Sequence, residues 1–452
     1  MTDFDYLQKN VIDRGLCLRC GECVGICPTD AIFVKDFAGL CLPAYKGPCV
    51  DCSLCYDLCP GDKVDFPLLA RESHPTRHSP YLGDYRRIFY ARSTDPEIVA
   101  GAASGGIATE LLLHALESGR VDGCVVVDFE ENRPWMPAVK VVRTREEIVR
   151  AAQSKYALLP VAAVLKRLKR DRGRYAVVAL PCQIHGLRMM QQKIPLWRER
   201  IKYMIGLYCM NMLFYEATRS LFERFRIRDP RRIARMNYRA GAYPGNFEVE
   251  ETSGRSHRLS KFGFNHLTFF YTMPRCLTCT DQTAELADVA VGDGWKGIER
   301  ERGVGQSVVI TRSVAGDELF ESAFQAGLVA RKELALADAL RMHSNVLDYK
   351  KRGGPARVKI LRRLGRPVPV YDQDVPAEPL PWHRYVVEAL LLLGLRVLST
   401  RLARGLLRLV PLAILDRGVT KIRGVWRYFT RRKIGRRASG KVAAGGTRLV
   451  WG

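Results

Sequence analysis

Two cysteine runs of identical spacing dominate the N-terminus of this chain. The first is Cys17-x2-Cys20-x2-Cys23-x3-Cys27-Pro28, and the second is Cys49-x2-Cys52-x2-Cys55-x3-Cys59-Pro60. No other feature restricts the local fold as tightly. This spacing wraps three thiolates around one face of an iron–sulfur cube and sends the fourth cysteine to a second cube. On that logic Cys17, Cys20, Cys23 and Cys59 hold one 4Fe–4S cluster, while Cys49, Cys52, Cys55 and Cys27 hold the other. The proline after each run stops the local turn and removes a backbone donor. A zinc ribbon is the competing reading, but it needs two CxxC pairs rather than two runs of four. Cys41 lies outside both runs and reads as a packed or free thiol.

Composition sets the frame around this module. The chain has 452 residues and 14 cysteines, is 47% hydrophobic and 26% charged, and carries a net charge of +25. At ~150 residues per domain, two or three domains and a real core are expected. These fractions exclude wholesale disorder. Disulfide staples are not expected in a chain this long whose thiols have metal-ligand spacing. The start, MTDFDYLQKN, has acids where a signal peptide has bases. The most lipid-like run, ALLLLGL (389–395), is far short of the ~20 residues needed to cross a bilayer. A reducing cytoplasm is the expected compartment.

The pattern along the chain divides it into five parts. Residues 1–67 form the cysteine-rich module, and 68–84 have no apolar periodicity and read as a linker. From 85 to 345, short β-branched runs alternate with amphipathic stretches, which favours an α/β domain. Strands are expected at 121–129, 138–144, 175–180, 201–209, 288–293 and 307–313, and helices at 107–119 and 161–171. Residues 346–381 read as a Pro-rich connector, and 382–452 as a basic, Leu- and Arg-rich tail. The expected class is therefore an α/β core behind a small α+β ferredoxin-like domain, with a helical basic C-terminal tail.

Within the core, Cys182 follows a strand and Pro181, Cys209 ends a strand, and Cys276 and Cys279 form a CxxC. Ligands gather at the carboxyl ends of strands in open α/β sheets, so these four thiols are candidates for a third cluster. Structural zinc or four unrelated buried thiols fit the spacing equally. Ser104, Gly105 and Gly106 precede an apolar-periodic helix, where free backbone N–H groups suit an anion such as phosphate. An ordinary serine cap is the plainer reading. The run VGDGWKG (291–297) adds a second glycine-rich strand end with Asp293.

The ordered segments carry a resemblance. They are Ser104–Gly106, Ser154-Lys155-Tyr156, Leu180-Pro181-Cys182-Gln183, Gly206–Asn211, Cys276-x2-Cys279-x-Asp281, Ala284–Val289 and Gly292-Asp293. Together they resemble the family of coenzyme F420 hydrogenase/dehydrogenase beta subunits over about residues 85–345. The N-terminal runs resemble two-cluster bacterial ferredoxins. The family resemblance implies FAD, a 4Fe–4S cluster, and electron exchange with a two-electron carrier such as coenzyme F420. It implies that Cys182, Cys209, Cys276 and Cys279 are cluster ligands, and that Ser104, Gly105, Gly106 and Lys155 belong to the flavin pocket. The plainer reading of Lys155 is a solvated helix lysine; His185 reads as a helix-capping or packed histidine, or as a group that supplies a proton or hydrogen-bonds the flavin or cluster.

The expected function is an iron–sulfur flavoprotein oxidoreductase. Clusters exchange single electrons whereas hydride chemistry needs two, so a flavin must convert between them. A ferredoxin or a hydrogenase or dehydrogenase subunit is the expected redox partner, and a small molecule the hydride donor or acceptor. A non-catalytic electron-transfer subunit, or a reductase of a tetrapyrrole or polysaccharide-pathway intermediate, is the alternative. The tail from Trp382 to Gly452 holds 16 Lys/Arg against 2 Asp/Glu, a net charge of +14. Peripheral contact with an anionic membrane, an acidic partner, or a cap on the core would each use that charge. Nucleic acid is not expected, because no recognition module accompanies it.

Overall fold

The β-branched runs between Arg87 and Glu333 assemble into one eight-stranded sheet. Its strands are β1 (Arg87–Ser93), β2 (Gly123–Phe129), β3 (Pro137–Val142), β4 (Tyr175–Ala179), β5 (Ile201–Leu207), β6 (Val289–Asp293), β7 (Ser307–Thr311) and β8 (Val329–Glu333). They lie in the order β8-β1-β7-β6-β5-β4-β2-β3. The computed structural model describes residues 2–424, apart from 37–38, 296–303, 377–378, 408, 412–413, 416, 419 and 423. Trp426, Tyr428, Phe429 and the RRKIGRR cluster lie outside the described residues, as do Arg408 and the end of the VGDGWKG run.

The four middle strands, β2, β4, β5 and β6, are parallel, and the flanking strands pair antiparallel. Parallel strands must be covered on both faces, which is why these runs are almost wholly apolar. Helix α1 (Ile107–Glu117) and helix α3 (Val314–Gln325) cover one face, and helix α2 (Pro181–Lys193) the other. Side chains alternate accordingly. Ala176, Ile205, Val289 and Val309 join Leu111, Leu113 and Phe320, whereas Val177, Met204, Ala290 and Ile310 join Ile184 and Leu187. All six expected strands are present, with no end shifted by more than two residues.

Four segments depart from the sequence reading. The expected helix at 161–171 is a 3-10 turn (Val161–Val164) and a single helical turn (Leu165–Leu168). Its first residues dock on the cysteine module instead of extending, and the Ala162 amide donates to the Cys20 carbonyl at 2.9 Å. The stretch 68–84 is not an extended linker. It carries the end of a helix (Phe66–Ala70) and a hairpin of Arg77–Ser79 with Gly83–Tyr85, and buries Leu82. An antiparallel sheet of Ile233–Ala240, Asn246–Glu251 and Ser256–Ser260 was not anticipated, although Phe247 and Val249 alternate with Glu248 and Glu250.

The fourth departure is the Pro-rich connector. Residues 346–381 contain the end of helix α4 (Leu336–Leu347), helix α5 (Gly353–Arg363) and a strand, Val370–Asp372. That strand pairs in parallel with Lys63–Asp65 of the cysteine module. The chain thus returns to its own beginning. Helix α6 (Trp382–Leu398) follows and packs on α5.

Candidate redox site

The two cysteine runs fold as near-copies. Each ends in a short helix, Glu22–Ile26 or Leu54–Asp57, entered through a left-handed residue, Gly21 (φ 85°) or Ser53 (φ 55°). The reason for glycine in the first copy is contact. A Cβ on Gly21 would stand 2.7 Å from the Ala163 nitrogen, and one on Gly25 would stand 2.2 Å from the Ala162 carbonyl oxygen. The first copy is therefore pressed against the core domain, while Cys52 of the second is exposed.

Two cavities lie inside the module. One, with about 410 Å³ of open space, is lined by Cys17, Cys20, Cys23 and Cys59, together with Cys41. The other, about 350 Å³, is lined by Cys27, Cys49, Cys52 and Cys55. Each cavity thus gathers three thiols of one run and the last thiol of the other. Burial pushes the Cys55 and Cys59 thiols up to about 12, and neighbouring thiols add to the rise. A thiol in such a place stays protonated unless a metal takes it as thiolate. Among the described residues, no three His, Cys, Asp or Glu side chains converge as they would on a single metal ion. Walls lined by four thiols suit a larger, four-iron group. Cys41 bonds to the Leu158 carbonyl and Cys124 lies buried in β2, which matches packed thiols.

The core domain gathers a third set. β4 and β5 run side by side in parallel, with Ala179 opposite Gly206, so the segments leaving them are adjacent. Pro181 occupies the first turn of α2, where its missing N–H costs nothing, and this sets Cys182 at the helix start. Cys209 follows β5, and its amide donates to the Gln282 carbonyl at 2.9 Å. Cys276 lies in a 3-10 turn (Pro274–Thr278) and its sulfur accepts the Met212 amide at 3.3 Å. Burial raises the Cys182 thiol far above its ordinary value, and its neighbours Cys209, Cys279 and Cys276 raise it further.

Several charged residues around these thiols were not singled out from sequence. Lys350, inside the expected connector, is 1% exposed. Burial opposes its charge, yet Cys279, Cys209 and Cys276 hold it protonated well above the ordinary lysine value. Arg275 is 3% exposed and donates to the Leu16 and Gly61 carbonyls, both at 3.1 Å. His185, on α2, bonds Asp281 at 2.9 Å, and both are fully buried. Burial pushes the Asp281 carboxyl up, but the bond and charge of His185, together with the charges of Lys351 and Arg312, leave the group below its ordinary value.

The glycine-rich segment lies at the far side of the same sheet edge. The Gly105 amide donates to the Ser307 hydroxyl at 3.0 Å, and the Ser104 hydroxyl donates to the Gln306 carbonyl. Gly106 (φ 75°) precedes α1, and no side chain caps that helix. Arg239, from the unanticipated sheet, ties this junction together. Its guanidinium reaches Asp293 at 3.1 Å, the Tyr156 hydroxyl at 3.1 Å and the Ala103 carbonyl at 2.5 Å. Lys155 is engaged differently. Its ammonium donates to the Ala151 and Ala152 carbonyls at 2.6 and 2.7 Å, and burial lowers its pKa to about 8.

Known proteins share these features. Residues 88–166 match the N-terminal model, and 172–336 the C-terminal model, of the coenzyme F420 hydrogenase/dehydrogenase beta subunit. Residues 10–33 match a 4Fe-4S binding domain. The chain is 31% identical over 265 residues to coenzyme F420 hydrogenase subunit beta of Methanosarcina barkeri, spanning 56% of this chain and 84% of that one. The chain belongs to the family of coenzyme F420 hydrogenase/dehydrogenase beta subunits.

Other proteins match over different extents. The coenzyme F420 hydrogenase subunit beta of Methanothermobacter thermautotrophicus is 29% identical over 64% of this chain and 99% of its own length. A coenzyme F420-dependent sulfite reductase of Methanocaldococcus jannaschii is 27% identical over 70% of this chain, but that match spans 47% of the reductase. The solved F420-reducing [NiFe] hydrogenase complex from Methanosarcina barkeri contains a chain of similar fold. Its TM-score is 0.51 at 27% identity, covering 63% of this chain and 96% of that one. The family models thus span the sheet, the separate 4Fe-4S model spans the first cysteine run, and these relatives are redox enzymes or their subunits. Arg239, Arg275 and Lys350 carried no local motif. Only the alternation around Phe247 hinted at the sheet that brings Arg239 in.

Proposed function

We propose that the protein is an iron–sulfur flavoprotein oxidoreductase that exchanges electrons with a two-electron hydride carrier, foremost coenzyme F420. Residues 1–67 hold two 4Fe–4S clusters, on Cys17, Cys20, Cys23 and Cys59 and on Cys27, Cys49, Cys52 and Cys55. The domain spanning 85–345 holds a third on Cys182, Cys209, Cys276 and Cys279, and binds FAD. The observation that carries this reading is continuity. The two cysteine-lined cavities, the core thiols and the glycine-rich junction form one packed sequence. Between the last two stands Tyr208, next to Cys209, whose amide donates to the Val291 carbonyl at 2.9 Å, two residues before Asp293.

The residues at the junction suit FAD, which supplies the conversion between single electrons and a hydride. The uncapped N-terminus of α1 offers N–H groups to a diphosphate. Arg239 brings a fixed positive charge that burial opposes and Asp293 and Tyr156 sustain. The buried Gln306 amide oxygen has no partner among the described residues and can accept a bond from the cofactor. Lys155 belongs to the pocket wall through the carbonyls it binds at Ala151 and Ala152. His185 and Asp281 hold α2 and the CxxC loop together behind the core thiols.

A redox partner, such as a ferredoxin or a hydrogenase or dehydrogenase subunit, docks where Cys52 and Val50 are exposed. The tail meets an anionic membrane surface. Trp382, Val386, Leu390, Leu393 and Val397 form one exposed apolar row on α6 within a segment of net charge +14. No described helix is long and apolar enough to cross a membrane.

Anaerobic purification with iron, sulfide and flavin assays tests this function. About twelve iron atoms and one FAD per chain are expected, and zinc without flavin overturns it. Stopped-flow mixing with reduced coenzyme F420, NAD(P)H and reduced ferredoxin then identifies the carrier. Flavin that no small hydride donor reduces would make the chain a relay subunit instead.

A further inference from the structure

We infer that Arg275 is the residue through which electrons cross between the ferredoxin-like module and the core domain. This rests on the proposed cluster assignments and adds which cluster faces the core. Arg275 is covalently adjacent to Cys276 of the core set. Its Nε donates to the carbonyl of Leu16, the residue bonded to Cys17, and its Nη2 donates to the carbonyl of Gly61, two residues after Cys59. A Cβ placed on Gly61 would stand 3.3 Å from the Cys59 sulfur, so the residue whose carbonyl Arg275 binds borders that thiol. One hydrogen bond therefore separates the covalent chain of Cys276 from that of Cys17.

Charge supports the same assignment. A cube held by four thiolates is anionic, and two such groups on neighbouring loops repel each other. A buried guanidinium between them offsets that repulsion and stabilises the reduced form of either one. Thr278 accepts Nη1 at 2.9 Å and the Tyr371 ring lies 5.5 Å away, so the side chain is fixed on every side. Tyr371 comes from the strand that returns to pair with Lys63–Asp65.

The step is the transfer of one electron. The cluster on Cys17, Cys20, Cys23 and Cys59 is oxidised by one electron and the cluster on Cys182, Cys209, Cys276 and Cys279 is reduced by one, or the reverse, and no bond or proton changes hands. The set around Cys52 is then the outer terminus.

The test uses the full chain. In the wild type, EPR of the fully reduced protein should show the core signal split by magnetic coupling to one neighbouring cluster. An unsplit core signal overturns the inference, and it does so without any variant. Arg275→Met should keep the iron content, lower the core midpoint potential in an EPR redox titration, and slow freeze-quenched reduction of the core by about tenfold or more. Arg275→Lys should restore most of the potential and less of the rate, since it keeps the charge but not the paired bonds. Unchanged potential and rate in the methionine variant at full iron would also overturn it. Wild-type protein with fewer than about twelve iron atoms instead defeats the underlying cluster assignment.

Discussion

Replacing Glu388 by alanine should release helix α6 and loosen the loop that carries the core CxxC. Glu388 is fully buried and bonds Arg357 at 2.6 Å and Arg384 at 2.8 and 3.0 Å. Arg384 also reaches Asp348 at 2.6 Å, and Arg352 reaches Asp348 at 3.3 Å. Three buried arginines thus share two carboxylates, and removing Glu388 leaves three charges on one. Breaking a buried pair by deleting one partner costs about 3–5 kcal/mol. The other described charge contact of the tail, Arg404 with the half-exposed Glu216, contributes under about 1 kcal/mol and cannot replace it. Arg357 donates to the carbonyl of Leu277, between the two cysteines of the CxxC, so the loss is transmitted there. Urea unfolding should therefore register a loss of about 4 kcal/mol, and hydrogen exchange should accelerate through 382–407 and around Leu277. Glu388→Gln, which keeps the shape but not the charge, should fall between. A loss below about 0.5 kcal/mol with unchanged exchange, a neutral surface effect, would refute the view that this network anchors the tail.

Three other outcomes are expected. Cys182→Ser should reduce iron from about twelve to about eight atoms per chain while the two N-terminal EPR signals persist; an unchanged count removes Cys182 from the ligand set. Glu321→Gln should cost about 1 kcal/mol near neutral pH, because the carboxylate bridges Arg87 and Arg331 at 2.8–3.0 Å. Bonds from Arg331 and Gln325 hold its pKa at about 2, so the unfolded chain takes up the proton first. The Glu321 contribution is therefore full above pH ~4.5 and lost as pH falls towards ~2, and thermal melts of both proteins should converge there. Leu390→Gln with Leu393→Gln, both on the exposed row, should abolish flotation with anionic liposomes at low salt and leave iron and flavin intact. Wild-type protein that never floats refutes the membrane reading.

Local spacing was a reliable guide wherever the structure it produces is itself local. Spacing of two and three residues between cysteines directs three thiols to one cavity and the fourth to the other, as the two cavities display. The apolar runs at 175–180, 201–209 and 288–293 became the buried parallel strands because nothing but a doubly covered sheet accepts them. Their ends placed Cys182 and Cys209 side by side. The stretches 68–84 and 346–381 misled because their elements are short and rich in Pro or Gly, and take their order from contacts with distant segments. Val370–Asp372 is a strand because Lys63–Asp65 lies beside it, and no property of its own three residues makes it so.

The sequence by itself determined the cysteine module, the α/β core and the family, since each depends on spacing or periodicity along the chain. Tertiary structure alone decided which run faces the core, and which charges surround the thiols. Arg239, Arg275, Lys350 and the Arg357–Glu388 network lie in segments far apart in sequence and meet only by folding. A buried charge is stable only where partners converge from several elements. No local pattern encodes that convergence. The +14 tail reads as loose charge in the sequence, yet two of its few described ionic residues, Arg384 and Glu388, are among the most deeply buried in the molecule.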